Sequence, residues 1–176
     1  MNTSNRPYTT VDDPDARKRL WELIKDIRFS MFTARHANGH LHARPMTTQN
    51  TSVDEDGSLW FFMSRHSDVV ADIAQDASVN ISYADVGSDS YVSVSGRAVV
   101  VEDLTKKRAL WTKMSEAWFP GGAADDDLAL VQVRISHAAY WDVKESKLVQ
   151  LFKMAKASIT GTPPTGMGEH REVHMS

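Results

Sequence analysis

The stretch that decides the fold runs from residue 59 to residue 67 and reads Leu59-Trp60-Phe61-Phe62-Met63-Ser64-Arg65-His66-Ser67. Its apolar first half predicts a buried strand, and Ser67 predicts the N-cap of a helix that extends to about Gln75. A helix N-terminus presents free backbone N–H groups and a partial positive charge, so it can bind a phosphate group. Taken alone, Ser67 is better explained as an ordinary helix cap.

A second predicted strand, residues 41–48, carries one cation among uncharged neighbours and follows the Asn38-Gly39 turn signal. Strand alternation puts His42, Arg44 and Met46 on one face. A guanidinium group offers a planar fork of donors that suits phosphate, but an ordinary surface arginine fits the same pattern. Pro45 predicts an edge strand or a bulge, because proline cannot donate to the strand ladder.

The other elements show no strand–helix–strand repeat. We predict helices over 15–27, from Thr105 to about Trp118 and over 148–159, and further strands at 29–34, 79–84, 91–102 and 128–135. Gly96 predicts a bend or bulge within its strand. Six strands with three or four helices predict an α+β fold with an antiparallel sheet, which can close into a small barrel.

Length and composition fit one domain of 176 residues. We expect a flexible lead-in at 1–14, the domain at 15–160 and a tail at 161–176. The net charge of −3 without a Lys/Arg cluster argues against nucleic-acid binding, and the lack of cysteine excludes disulfides and thiolate chemistry. The polar N-terminus resembles no signal peptide, and no apolar run approaches the roughly 18 residues of a membrane span, so we expect a cytoplasmic protein.

Other motifs point less clearly to chemistry. The run Trp118-Phe119-Pro120-Gly121-Gly122 is compatible both with one wall of a site for a planar ligand and with ordinary core packing. His36, His40 and His42 lie close in sequence without a carboxylate at matching spacing, so no metal site is predicted. The chain has no Gly-x-Ser-x-Gly elbow, no Gly-x-Gly-x-x-Gly fingerprint and no Walker loop, which argues against a serine hydrolase and against Rossmann or P-loop nucleotide sites.

Six segments taken in order resemble the general stress protein 26 group of the pyridoxamine 5′-phosphate oxidase-like, FMN-binding split-barrel superfamily. They are residues 42–46, 59–67, 91–98, 118–122, 140–142 and 149–152. The resemblance implies a six-stranded antiparallel split β-barrel with flanking helices. It also implies a homodimer with two equivalent FMN sites at its interface, with FAD as an alternative cofactor.

The resemblance also implies roles for individual residues. Arg44 is expected to contact the FMN phosphate, and the strand carrying Pro45, Met46, Thr47 and Gln49 to run beside the isoalloxazine ring. Phe62, Met63 and Ser64 are expected along the ribityl chain, with the hydroxyls of Ser64 and Ser67 on ribityl or phosphate oxygens. Tyr91 is expected to touch flavin across the dimer, and Trp118 and Trp141 to cover the ring.

One departure from the family pattern concerns charge. The oxidase branch follows its helix-cap serine with Arg-Lys, whereas this chain has Asp68 and Val69. Losing two cations and gaining an anion beside a phosphate should weaken binding by about 1–3 kcal/mol, so we expect modest, micromolar affinity.

The function implied is a flavin-binding general stress protein that binds or buffers FMN, with flavin-dependent redox activity left open. One alternative is an NAD(P)H-dependent flavin oxidoreductase or flavin reductase. Another is a split barrel that holds haem or no cofactor. No catalytic residue is identified, and the chain lacks a C-terminal Arg-x-His motif, so pyridoxamine-phosphate oxidation is not expected.

Overall fold

A computed structural model describes residues 14–50, 57–143 and 169–174 of the chain. Its α-helices are α1 (Pro14–Ile27), α2 (Asp68–Gln75) and α3 (Leu104–Leu110), with short 3-10 turns at Ser115–Ala117 and Gly122–Ala124. Its strands are β1 (Phe29–Arg35), β2 (Leu41–Thr47), β3 (Ser58–Ser64), β4 (Ser78–Asp85), β5 (Ser90–Val101), β6 (Leu128–Asp142) and β7 (Glu169–His174). No helix in these ranges is long and apolar enough to span a membrane.

The strands form one antiparallel sheet in the order β2-β1-β4-β5-β6-β3, and β7 pairs with β6. The two ends of this order meet where Thr48, just after β2, forms a bridge with Phe61 of β3. Beside the bridge, the Gln49 N–H donates to the Trp60 carbonyl at 2.8 Å. The sheet thus closes on itself at one point, and the predicted α+β split barrel is confirmed.

The barrel interior and the buried side of α1 share one apolar core. The amphipathic pattern predicted for α1 is confirmed by the burial of Leu20, Trp21 and Ile24. Inside the barrel, Phe32 of β1 meets Phe61 of β3 edge-on, with ring centroids 5.3 Å apart. This contact joins strands from the two ends of the sheet order, so it supports closure from within.

The predicted helix from Thr105 to Trp118 is wrong in its extent. Its N-cap is Asp103, whose carboxylate accepts from the Lys106 N–H at 2.8 Å. The helix ends at Leu110 because Trp111 adopts an extended backbone with φ −64° and ψ 133°. The chain becomes helical again only in the Ser115–Ala117 turn.

Two findings concern the C-terminal part of the sheet. Strand β6 runs without interruption from the predicted stretch 128–135 to Asp142, close to the end expected near Tyr140 and Trp141, and it pairs with the whole of β5. Residues 169–174, within the segment expected to be a tail, form β7 against the second half of β6. The helix predicted over 148–159 lies outside the described residues.

Gly96 marks the predicted bulge, since the β5–β6 register shifts between Ser95 and Gly96. A Cβ added there would overlap the backbone oxygen of Arg134.

We expect Gly96→Ala to lower the free energy of unfolding by about 1–3 kcal/mol in urea denaturation, because the backbone must move to make room for the added methyl group. Gly87→Ala is the control, since its Cβ would meet only the side chain of Asp85. Equal stability of the two variants would contradict the close approach.

Candidate functional site

A cavity of about 360 Å³ lies where β2 and β3 separate beyond their single bridge. Eight of the residues predicted from the sequence line it, namely Pro45, Met46, Thr47, Gln49, Phe62, Met63, Ser64 and Trp118. Because the strands run antiparallel from the Thr48–Phe61 bridge, Gln49 lies at the joined end of the cavity and Ser64 at its open end. The cavity is therefore the gap between β2 and β3 at which the barrel wall is open.

The walls are largely apolar, and the rim is exposed. Phe62, Met63 and Phe119 are buried, whereas Trp118 is 79% exposed and Met114 is 51% exposed. Thr112 and Met114 line the cavity from the non-helical stretch after α3, and Ser115 lines it from the start of the following 3-10 turn. A planar apolar ligand thus has a buried wall on one side and an exposed indole at the rim.

Gln49 places an unpaired acceptor at the joined end. Its side chain is 7% exposed, and its Nε2 donates to the Thr47 carbonyl at 3.0 Å. Its Oε1 is buried and accepts no hydrogen bond. A buried acceptor without a partner costs about 1–3 kcal/mol, so this atom is suited to a ligand N–H.

Arg28, which the sequence analysis missed, also lines the joined end. It follows α1 with a left-handed backbone, φ 61°, and its N–H donates to the Ile24 carbonyl at 2.8 Å. Its carbonyl accepts from the Thr48 N–H at 3.0 Å, which ties it to the residue before Gln49. Among the described residues that line the cavity, Arg28 is the one Lys or Arg. Its half-buried side chain forms no ion pair with any described residue.

The open end is acidic rather than basic. Asp127 lines it, and its carboxylate accepts from the Ser64 hydroxyl at 2.9 Å. This hydrogen bond is the main reason that the pKa of Asp127 lies below its ordinary value. Asp127 was also missed, although it belongs to the acidic run Asp125-Asp126-Asp127.

Arg44 and Ser67 lie at α2 and do not line the cavity. Arg44 Nη1 is 3.7 Å from Oδ2 of Asp72, a carboxylate that is 2% exposed. The other oxygen of Asp72 is 2.8 Å from His36 Nδ1. Ser67 precedes α2 as predicted, but its hydroxyl donates to the Ser64 carbonyl at 2.6 Å instead of capping the helix. The structure thus brings both residues to one helix, with Asp72 beside the guanidinium.

Tyr91 and Trp141 lie elsewhere, on the outer face of the sheet. They are cross-strand partners on β5 and β6, with 39% and 42% of their surfaces exposed. Neither lines the cavity within the chain. Among the described residues, no group of histidines and acids is arranged to hold a metal ion.

Known proteins with similar sequences or structures support the fold described above. Protein bli-3 of Neurospora crassa is 28% identical over 93% of this chain and 87% of its own length. A general stress protein 26 candidate from Jannaschia sp. CCS1 superposes with a TM-score of 0.74 at 24% identity, covering 92% of this chain and 99% of its own. The general stress FMN/FAD binding protein of Xanthomonas citri has a TM-score of 0.66 and 30% identity, covering 76% and 93%.

The fold alone does not select a cofactor. A heme binding protein of Mycobacterium smegmatis shares it at 15% identity with a TM-score of 0.58, covering 74% of this chain and 55% of that one. The family model described as pyridoxamine 5′-phosphate oxidase like matches residues 15–165. The resemblance to the general stress protein 26 group is thereby confirmed, and the chain belongs to the pyridoxamine 5′-phosphate oxidase like family.

Proposed function

We propose that this protein is a homodimeric FMN-binding protein of the cytoplasm that holds the flavin ring between β2 and β3 and buffers the cofactor. The observation that carries the proposal is the buried, unpartnered Oε1 of Gln49 in an otherwise apolar cavity. An isoalloxazine ring combines apolar faces with a polar edge that includes an N–H donor. The cavity has apolar walls and one unpaired acceptor, so the two match in chemistry.

Flavin supplies electron-transfer chemistry when bound, while the protein supplies binding and orientation. Met46, Phe62 and Trp118 line the cavity, and we expect the first two to offer apolar surface to the ring and Trp118 to cover it from the rim. The similar protein of Xanthomonas citri is described as binding FMN or FAD, which supports a flavin here. Haem is less well supported, because no histidine lines the cavity among the described residues.

The phosphate is proposed to lie past the open end, near Arg44 and Ser67. Two features limit its affinity there. Asp72 sits 3.7 Å from the Arg44 guanidinium and competes with a bound anion for that cation. Asp68 begins α2 and Asp127 lines the open end, so both add negative charge near the proposed phosphate.

The proposed dimer interface is the apolar part of the outer sheet face. Cross-strand pairing places Phe29 beside Thr47, and Tyr91 beside Ala84 and Trp141. Phe29 is 64% exposed, an unusual degree for a phenylalanine on a sheet. Since Thr47 also lines the cavity, a second copy docked on this face would reach the bound flavin.

Binding of FMN is tested by fluorescence titration with Arg44→Gln. We expect a micromolar Kd for the unaltered protein and a loss of about 10–100-fold in the variant, because a charge-assisted hydrogen bond to phosphate is removed. Riboflavin, which lacks the phosphate, should bind both proteins equally. Arg97→Gln on the far part of β5 is the control. A nanomolar Kd would contradict the charge argument, and absence of binding would refute the function.

The dimer is tested by light scattering at micromolar concentration. We expect a dimer, and we expect Phe29→Asp to yield monomers, because a buried charge at a central aromatic costs about 2 kcal/mol or more. Leu104→Asp, an exposed leucine on α3, is the control. A monomeric unaltered protein that still binds FMN would refute the shared site.

A flavin reductase is the second candidate, because the exposed rim at Met114 and Trp118 leaves room for a nicotinamide to approach. Hydride transfer from NADPH to a flavin depends on how the nicotinamide is held against the ring and needs no acid on the protein. Arg28 is the one Lys or Arg among the described residues of the cavity wall, so few cations are available there for the phosphates of NADPH. We therefore expect the FMN-loaded protein to keep its flavin absorption when NADPH is added under anaerobic conditions. Rapid bleaching with turnover would favour the reductase.

A further inference from the structure

The joined end of the cavity holds two complementary groups that lack partners among the described residues. Gln49 Oε1 is a buried acceptor, and the Arg28 guanidinium is a donor and a cation. The Thr48 N–H donates to the Arg28 carbonyl, so the backbone of Arg28 lies beside the residue that precedes Gln49. A residue with a buried free acceptor and a residue with a charged donor therefore line the same end of an apolar cavity.

The backbone at Arg28 is a second sign that this side chain has a function. A φ of 61° at the end of α1 is the left-handed conformation in which glycine is the favoured residue. This chain has an arginine there, which pays the backbone cost that glycine avoids. Such strain is concentrated at ligand-binding positions, where the surrounding structure maintains it.

The chemistry that satisfies both groups is an N–H flanked by a carbonyl. We infer that Arg28 and Gln49 together bind the imide edge of the flavin ring, with the N3–H donating to Gln49 Oε1 and Arg28 donating to an adjacent carbonyl oxygen. This inference rests on the proposed function and adds the orientation of the ring. It makes Arg28 a specificity residue for imide-bearing rings.

The alternative role for Arg28 is to bind the phosphate. That role conflicts with the layout of the cavity, because Ser64 and the nearby Ser67 turn are at the opposite, open end. The two roles differ in a measurable way. An imide contact affects FMN and riboflavin alike, whereas a phosphate contact affects FMN alone.

The test is fluorescence titration of the full-length protein with FMN, riboflavin and 3-methyl-FMN, whose N3 hydrogen is replaced by a methyl group. The unaltered protein should bind FMN about tenfold more tightly than 3-methyl-FMN, since the methylated ring leaves Gln49 Oε1 unpaired. Gln49→Met, similar in size, should bind the two with equal affinity. Circular dichroism melts confirm that the variant folds.

Arg28→Gln provides a second variant at a half-buried position, and circular dichroism melts check that it folds. It should weaken FMN and riboflavin by the same factor of about ten, and Arg28→Lys should restore part of the loss by keeping the charge. Arg97→Gln, distant from the cavity, should change neither.

Three results would overturn the inference. Selective loss of FMN but not riboflavin in Arg28→Gln would assign Arg28 to the phosphate. Unchanged affinities in Arg28→Gln and Gln49→Met, with FMN still bound, would refute the ring orientation and leave the proposed function standing. Failure of the unaltered protein to bind either flavin would refute both.

Discussion

The joint between β2 and β3 is the constraint on which the site depends. At this point the two ends of the sheet order meet through the Thr48–Phe61 bridge and the bond from Gln49 N–H to the Trp60 carbonyl. Beyond it, Pro45 has no N–H with which to continue a ladder toward β3. The strands separate, and the space between them is the cavity. A fully paired barrel would have no room for a ligand there.

The joint is held by polar contacts in a buried setting. The hydroxyls of Thr48 and Tyr83 share a hydrogen bond of 2.8 Å, and burial raises the pKa of Tyr83 well above its ordinary value. The phenol therefore stays neutral and keeps this bond at physiological pH. Because Thr48, Gln49 and Arg28 are linked through backbone bonds, the same contacts that close the barrel also position the free acceptor and the free cation.

Local signals in the sequence predicted most elements, and tertiary effects explain what they missed. The periodicity of residues 15–27, Ser67 before α2, Gly96 at the bulge and Pro45 on an edge strand each have a local physical cause. The break at Trp111 does not, because a face shared by Leu110 and Met114 fits a continuous helix equally well. Strand β7 pairs with a distant segment, so its polar sequence gave no sign of it. No motif around Arg28 indicated a functional role, apart from its place between a predicted helix and a predicted strand.

The groups suited to a flavin ring and the charges that would affect a phosphate lie at opposite ends of the cavity. The joined end has a cation and an acceptor that lack partners among the described residues, and Asp127 lines the open end. Arg44, the residue that the family resemblance assigns to phosphate, already has the buried carboxylate of Asp72 beside it. Under the proposed function, the groups suited to a ligand thus lie where the ring would be, and negative charge lies where the phosphate would be. A site of this kind favours exchange of the ligand over permanent retention, which agrees better with buffering of a flavin than with a tightly held prosthetic group.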